Sequence, residues 1–254
     1  MRWMSNPYHW PDFLPAFGRV AEAAGFSPFV LAETEAGPLL LWERPGRGPR
    51  VYLTSGIHGD EPAGPLAMLD LMGEGFFAPD VDWVVCPALN PTGMAMGRRE
   101  NAAGIDLNRD YRLRRSREVM AHAAWIAAQA APALFLSLHE DWEAKDFYLY
   151  EINLGADDPR RARDIIRAVR PWFAPDAGAQ IDGHEPRGPG WIYHPAEADE
   201  PEGWPEAIFL AHHGCPLSFT FETPSHAPLA SRIAAQHAAV RAACRHLPDK
   251  IGEG

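Results

Sequence analysis

Residues Val51–Glu61 read VYLTSGIHGDE, and the architecture of the chain can be built outward from them. The opening VYLTS is apolar and β-branched, the composition of a short buried strand. Gly56 and Gly59 then let the backbone bend tightly. His58 and Glu61 stand in that turn, three residues apart, where both side chains can reach one ion. Neutral imidazole and carboxylate are a donor pair suited to zinc. A helical pattern follows at Pro65–Met72, so the segment is strand, turn, helix: the repeating unit of an α/β sheet.

The same alternation runs along the chain. Val81–Pro87 reads as a strand followed by a loop over Asn90–Asn108, and Leu134–Leu138 opens LFLSLHED as a buried strand. Phe29–Ala32, Leu39–Trp42, Phe147–Ile152 and Leu217–Glu222 have strand character too. Helical patterns cover 12–25, Ser116–Ala131, Arg160–Val169 and Leu229–Leu247. The alternation predicts an α/β sandwich around a mainly parallel or mixed sheet. Residues 175–206, rich in Pro, Gly and acids, read as a surface insertion in a single domain spanning 1–254.

Composition narrows the partners. The 254 residues hold 23 Lys+Arg and 34 Asp+Glu, a net charge of −11. This argues against nucleic acid and anionic membranes, which reward basic surfaces. No apolar run reaches the roughly 18 residues of a membrane-spanning helix. Met1–Trp10 lacks an apolar core of the secretory type, and Cys86, Cys215 and Cys244 are widely spaced without a CxxC pair. Free thiols in a reducing compartment are expected, hence a cytoplasmic location. Charge is unevenly spread. Seven arginines fall within 98–117, whereas 182–206 carries seven acids and one base, Arg187. An arginine island in an acidic chain suits a small anion; a solvated helix face is the plainer alternative.

Candidate site residues gather where strands end, the edge at which open α/β sheets bind ligands. His139 directly follows Leu134–Leu138 and supplies a third donor beside His58 and Glu61. Two histidines and one carboxylate leave a zinc position open for water. Glu222 ends the strand at Leu217–Phe221, where a carboxylate is costly without a task, and a general base is such a task. In RRENAAGIDLNRDY (98–111), Asn108 and Arg109 can hold a substrate carboxylate, and Arg99 or Arg98 can face an oxyanion. Asp106 can accept the free N–H of a metal-bound histidine. The His–x–x–Glu spacing recurs at His194 and Glu197, where it reads as a solvated pair.

GIHGDE (56–61), NPTG (90–93), RENAAGIDLNRDY (99–111), SLHED (137–141) and FTFETP (219–224) together resemble, in order, the zinc metallocarboxypeptidase superfamily. That superfamily includes carboxypeptidase A-like enzymes, murein-peptide amidases and the succinylglutamate desuccinylase/aspartoacylase branch. The resemblance implies a three-layer α/β/α sandwich with a mixed, mostly parallel sheet of about eight strands. It implies one Zn2+ per chain held by His58, Glu61 and His139, with Glu222 as general base. Arg99 looks like the oxyanion arginine, Asn108 and Arg109 like the carboxylate clamp, and Asp106 like the partner of His58. A substrate-capping tyrosine is also implied, with Tyr193 in GWIYHP as the candidate. The implied activity is hydrolysis of a peptide or amide bond beside a free carboxylate. The alternative is an N-acyl amino acid deacylase. That branch adds a C-terminal β-rich domain, and here 32 residues follow Glu222, mostly in one amphipathic helix.

Overall fold

The computed structural model describes residues 9–245 and 247. Most of the stretch Met1–Trp10 read for a leader (residues 1–8), and residues 246 and 248–254, lie outside the described residues. Eight strands form one sheet. They are β1 (Ser27–Thr34), β2 (Gly37–Arg44), β3 (Arg50–Ser55), β4 (Asp82–Cys86), β5 (Leu134–Asp141), β6 (Tyr148–Asn153), β7 (Trp191–Tyr193) and β8 (Leu217–Pro224). Their order is β1-β2-β4-β3-β5-β8-β6-β7. β4, β3, β5 and β8 run parallel, β6 and β7 pair parallel, and β1–β2, β2–β4 and β6–β8 pair antiparallel. The expected α/β sandwich with a mixed eight-stranded sheet is therefore present.

Helices cover both faces. α1 (Trp10–Ala23), α2 (Ala63–Gly73), α5 (Arg160–Val169) and α7 (Leu229–Cys244) pack on one face with Leu53, Leu136, Leu138 and Phe221. α4 (Arg117–Ala128) and α6 (Glu206–His212) pack on the other with Tyr52 and Phe135. The local reasons are plain in the sequence. α5 buries Ala162, Ile165, Ile166 and Val169, the i, i+3, i+4, i+7 stripe of an amphipathic helix. Ser116 caps α4 by accepting the Val119 N–H, and Asn90 caps α3 (Pro91–Met96) by accepting that of Gly93.

Strand alternation sorts the site from the core. On β5, Leu134, Leu136 and Leu138 enter the large core, which leaves Ser137, His139 and Asp141 on the opposite face. On β8, Phe219 and Phe221 are core, while Ser218, Thr220 and Glu222 line a cavity.

Three readings change. The Asn90–Asn108 loop contains α3, which the Asn-Pro pair at 90–91 signals as an N-cap followed by proline at the first helical position. The 175–206 insertion contains β7, the sheet's edge strand, and leads directly into α6. Finally, several arginines after Arg109 are not simply solvated. Arg112 lies 5.0 Å from the Trp204 ring centroid and Arg114 5.1 Å from that of Phe209. Arg115 pairs with buried Asp110 at 3.4 Å. Arg112 and Arg114 strap the segment after Arg109 to the α6 region by cation–π contacts, and the Arg115–Asp110 pair closes the segment on itself. No helix among the described residues is long and apolar enough to cross a membrane.

The turn after β3 has no spare room. A Cβ on Gly59 would lie 1.9 Å from the carbonyl carbon of Gly93, a backbone atom that cannot swing aside. Gly59→Ala should therefore destabilise the protein by about 3 kcal/mol or more, measured by urea unfolding. An unchanged midpoint would show that α3 and the turn can separate freely.

Candidate metal centre

Parallel pairing of β3 with β5 matches Ser55 to Leu138, so the residues leaving the two strands emerge side by side. His58 and Glu61 come from the turn after β3, and His139 from β5 itself. Their donor atoms lie within 4.8 Å of one another, and all three residues are buried. The Glu61 carboxylate sits between the rings, with Oε1 2.6 Å from His58 Nδ1 and Oε2 3.1 Å from His139 Nδ1. Glu61 Oε2 is buried and makes no hydrogen bond. Two nitrogen lone pairs and a carboxylate facing one small space repel unless a proton or a cation lies between them. The donor set and the orphaned oxygen fit a zinc ion.

The surrounding groups orient these donors. His58 Nε2 lies 3.3 Å from Asp106 Oδ1, so the imidazole presents Nδ1 to the shared space. Arg99 Nε donates to Asp106 Oδ2 at 2.9 Å, and its Nη1 reaches within 3.3 Å of His58 Nδ1. Arg98 instead is exposed, with its guanidinium 3.2 Å from the Met96 sulfur. Arg99, and not Arg98, therefore stands beside the donor set. Burial opposes charge on Asp106, yet His58 and Arg99 hold its carboxyl below the usual range. Burial likewise opposes charge on Glu61, but the two imidazoles lower its carboxyl to about 2.

Glu222 lies beside this centre. It pairs with His139 across β5–β8 and with Tyr148 across β8–β6. Burial raises its carboxyl well above the normal range, as do the charges of Glu61, Asp141 and Asp182. Asn108 accepts the Glu206 backbone N–H through Oδ1 at 2.9 Å, which leaves its amide N–H groups available as donors. Arg109 is exposed at the cavity, with Nη1 donating to the Asn108 carbonyl at 3.0 Å. His58, Glu61, Arg99, Asn108, Arg109, His139 and Glu222 all line one cavity of about 420 Å³.

Tyr193 does not join them. Alternation along β7 sends Ile192 to the cavity side with Tyr148, and places Tyr193 on the reverse face. There its hydroxyl donates to the Asn153 carbonyl at 3.2 Å and Arg187 stacks 4.8 Å from its ring centroid. The aromatic groups that do line the cavity are Trp142, Tyr148 and Tyr150. Period-two alternation in YLYEI (148–152) marks the two tyrosines as one face of a strand. His194 is also misread as solvated: it is buried, its ring meets Asp199 and His184, and it lines the same cavity. Burial also extends to His122 on α4. It lies fully buried between the hydroxyls of Tyr52 and Tyr111, each 2.6 Å away, and burial lowers its imidazole to about 3.

Comparison with known proteins follows the same lines. The sequence model of the succinylglutamate desuccinylase/aspartoacylase catalytic domain matches residues 47–149. The chain is 29% identical over 191 residues to carboxypeptidase 2 of Trichophyton tonsurans, covering 71% of this chain and 31% of that protein. It is 31% identical over 143 residues to carboxypeptidase 2 of Trichophyton equinum, covering 52% and 24% respectively. The chain spans about a third or less of the length of these curated relatives. A crystal structure of a "putative metallopeptidase" from Shewanella amazonensis superposes with a TM-score of 0.81 at 26% identity, over 94% of this chain and 93% of that one. A metallo-carboxypeptidase from Burkholderia cenocepacia shares the fold, with a TM-score of 0.66 at 20% identity over 93% and 68%.

The centre predicts a proton count. In the metal-free protein burial disfavours charge on His58, but Glu61 and Asp106 outweigh it and raise the imidazole to about 9. That raised value stabilises the folded metal-free protein fully below the ordinary imidazole value near 6.5, and the contribution is lost as pH rises through about 9. A metal ion requires neutral His58, so its uptake at neutral pH should expel about one proton. Calorimetric titration with zinc in buffers of different ionisation enthalpy measures this number. Enthalpies identical in every buffer would show that His58 is already neutral.

Proposed function

We propose that the chain is a metallocarboxypeptidase-like enzyme, a zinc-dependent hydrolase of an amide bond beside a free carboxylate. One observation carries the reading: a buried His58–Glu61–His139 donor set faces Glu222, the strand partner of His139. When bound there, zinc supplies Lewis acidity toward a carbonyl and a water. Every other task falls to the chain's own residues. Glu222 takes the proton of the attacking water and delivers it to the departing amine. Arg99, anchored by Asp106, turns its guanidinium toward the space where the scissile oxygen gains charge. Asn108 offers its free amide hydrogens and Arg109 its guanidinium to the substrate carboxylate. Asp106 holds His58 by its outer nitrogen.

The substrate is a small peptide or an N-acyl amino acid. The match at 47–149 favours the deacylase alternative, while the Trichophyton relatives favour a carboxypeptidase. Both readings share the carboxylate clamp and differ in the acyl group. C-terminally free peptides, γ-glutamyl peptides and N-acyl amino acids, each assayed with and without chelator, separate the two. Chelator-resistant hydrolysis of all of them would remove the metal from the reading.

Glu222→Gln should retain the zinc found by elemental analysis and lose roughly 10²–10⁴ in kcat. Near-normal turnover would exclude Glu222 as the base. Arg109→Ala should raise KM for carboxylate-terminated substrates and leave amidated ones nearly unaffected. Equal losses on both would place the substrate carboxylate elsewhere.

A further inference from the structure

The acidic insertion brings a second donor cluster to the same cavity. His184, His194 and Asp199 present one nitrogen or oxygen each, all within 4.8 Å of one another. His194 Nε2 lies 3.4 Å from Asp199 Oδ1, and His184 Nε2 lies 3.5 Å from Asp199 Oδ2. The two rings meet edge to face with centroids 4.9 Å apart. These separations leave the ring nitrogens facing the carboxylate without a good hydrogen bond.

The His194 ring is set for coordination. Its Nδ1 lies 2.7 Å from the Pro195 carbonyl, which can only accept, so in the neutral ring Nδ1 carries the hydrogen. Nε2 then turns its lone pair toward Asp199 and His184. A carbonyl behind the outer nitrogen is how metal-binding histidines are held. The scaffold is firm as well. The His194 N–H donates to the Glu151 carbonyl at 2.8 Å, and His184 closes a two-way backbone bridge with Ile181. Tyr150 packs edge-on against both rings at 5.6 and 5.7 Å, and its hydroxyl is tied to Asp182. The His194 side chain is only 8% exposed, whereas Asp199 is 67% exposed and marks the open side.

The field of the cavity calls for a cation there. Eight carboxyl side chains line it; setting aside Glu222, whose burial disfavours its charge, and Glu140, paired with Arg232, six remain against two arginines, Arg99 and Arg109. One dication at the centre of His58, Glu61 and His139 does not balance that excess.

We propose that His184, His194 and Asp199 form a second divalent-cation site, distinct from the His58–Glu61–His139 centre and carried by the insertion. Two imidazoles and one carboxylate select zinc or a neighbouring transition dication over magnesium or calcium. The ion pins residues 182–199 to the sheet edge and leaves coordination positions open to an anionic group in the cavity. The site does not depend on the hydrolase reading.

Chelator-stripped full-length protein is dialysed against buffered zinc, and bound metal is counted by elemental analysis. Wild type should hold two ions per chain. The His58→Ala/His139→Ala protein and the His184→Ala/His194→Ala protein should each hold one. Asp199→Asn, a change at an exposed position, should weaken the second ion at least about tenfold and keep the first, with unfolding unchanged in the metal-free state. Cobalt substituted for zinc gives an independent spectroscopic count. Saturation of wild type at one ion that the His184→Ala/His194→Ala protein still holds overturns the proposal. So does a second ion that survives both His184→Ala/His194→Ala and Asp199→Asn. Loss of the first ion alone in the His58→Ala/His139→Ala protein leaves this site standing and speaks only to the hydrolase centre.

Discussion

The carboxylate of Glu61, buried between two imidazoles, is the constraint on which the rest of the structure turns. A buried charge is tolerated only when paired, and here the pairing is supplied by the turn after β3 and by β5. It requires β3 and β5 to be neighbours, parallel and in register, because otherwise His139 would not meet His58. The turn after β3 must then be compressed against α3, which is why only glycine fits at position 59. Asp106 and Arg99 complete the charge balance one layer out. The neighbouring Glu140 shows the same economy on the other sheet face. Its carboxylate accepts the Ala63 N–H at the start of α2 and is paired with Arg232. Burial still outweighs those partners and raises it to about 7.

Net charge and local field differ in this protein, and the difference matters for substrate choice. The overall charge is −11. The arginine island, read as suited to a small anion, suggests a locally positive pocket. The charged side chains that line the cavity are instead mostly carboxylates. Arg112 and Arg114 turn away to hold the α6 region, and Arg115 pairs with Asp110. A carboxylate substrate entering this cavity is therefore attracted by few, well-placed cationic centres, and orientation follows from their positions.

Much of this was legible because strand ends and donor types coincide in the sequence. His58, Glu61, His139 and Glu222 each stand at the end of an apolar run, and runs that are apolar throughout are recognisable without knowing their neighbours. Asn108 and Arg109 were legible as chemical types. Tyr193 was not, since a three-residue strand at the end of a Pro- and Gly-rich insertion does not reveal which face is inward. His184 and His194 failed for a related reason. They are ten residues apart in an acidic loop, and only the pairing of β7 with β6 folds that loop back over Tyr150.

Glu206 shows why a site can depend on a residue that no local pattern marks. It begins α6 and is fully buried, which raises its carboxyl to about 8 despite hydrogen bonds from Thr54 and Ser137. Near neutral pH it is mostly uncharged, the form in which a buried carboxyl is least costly. Its side chain joins β3 to β5 through the Thr54 and Ser137 hydroxyls, while its backbone N–H orients the Asn108 amide. The same residue therefore couples the strand pair that builds the metal centre to the group that faces the substrate. Charging it would set an uncompensated anion beneath both. The neutral surroundings of Tyr52, Tyr111 and His122 are consistent with a fold that keeps this layer uncharged so that the layer above it can carry charge.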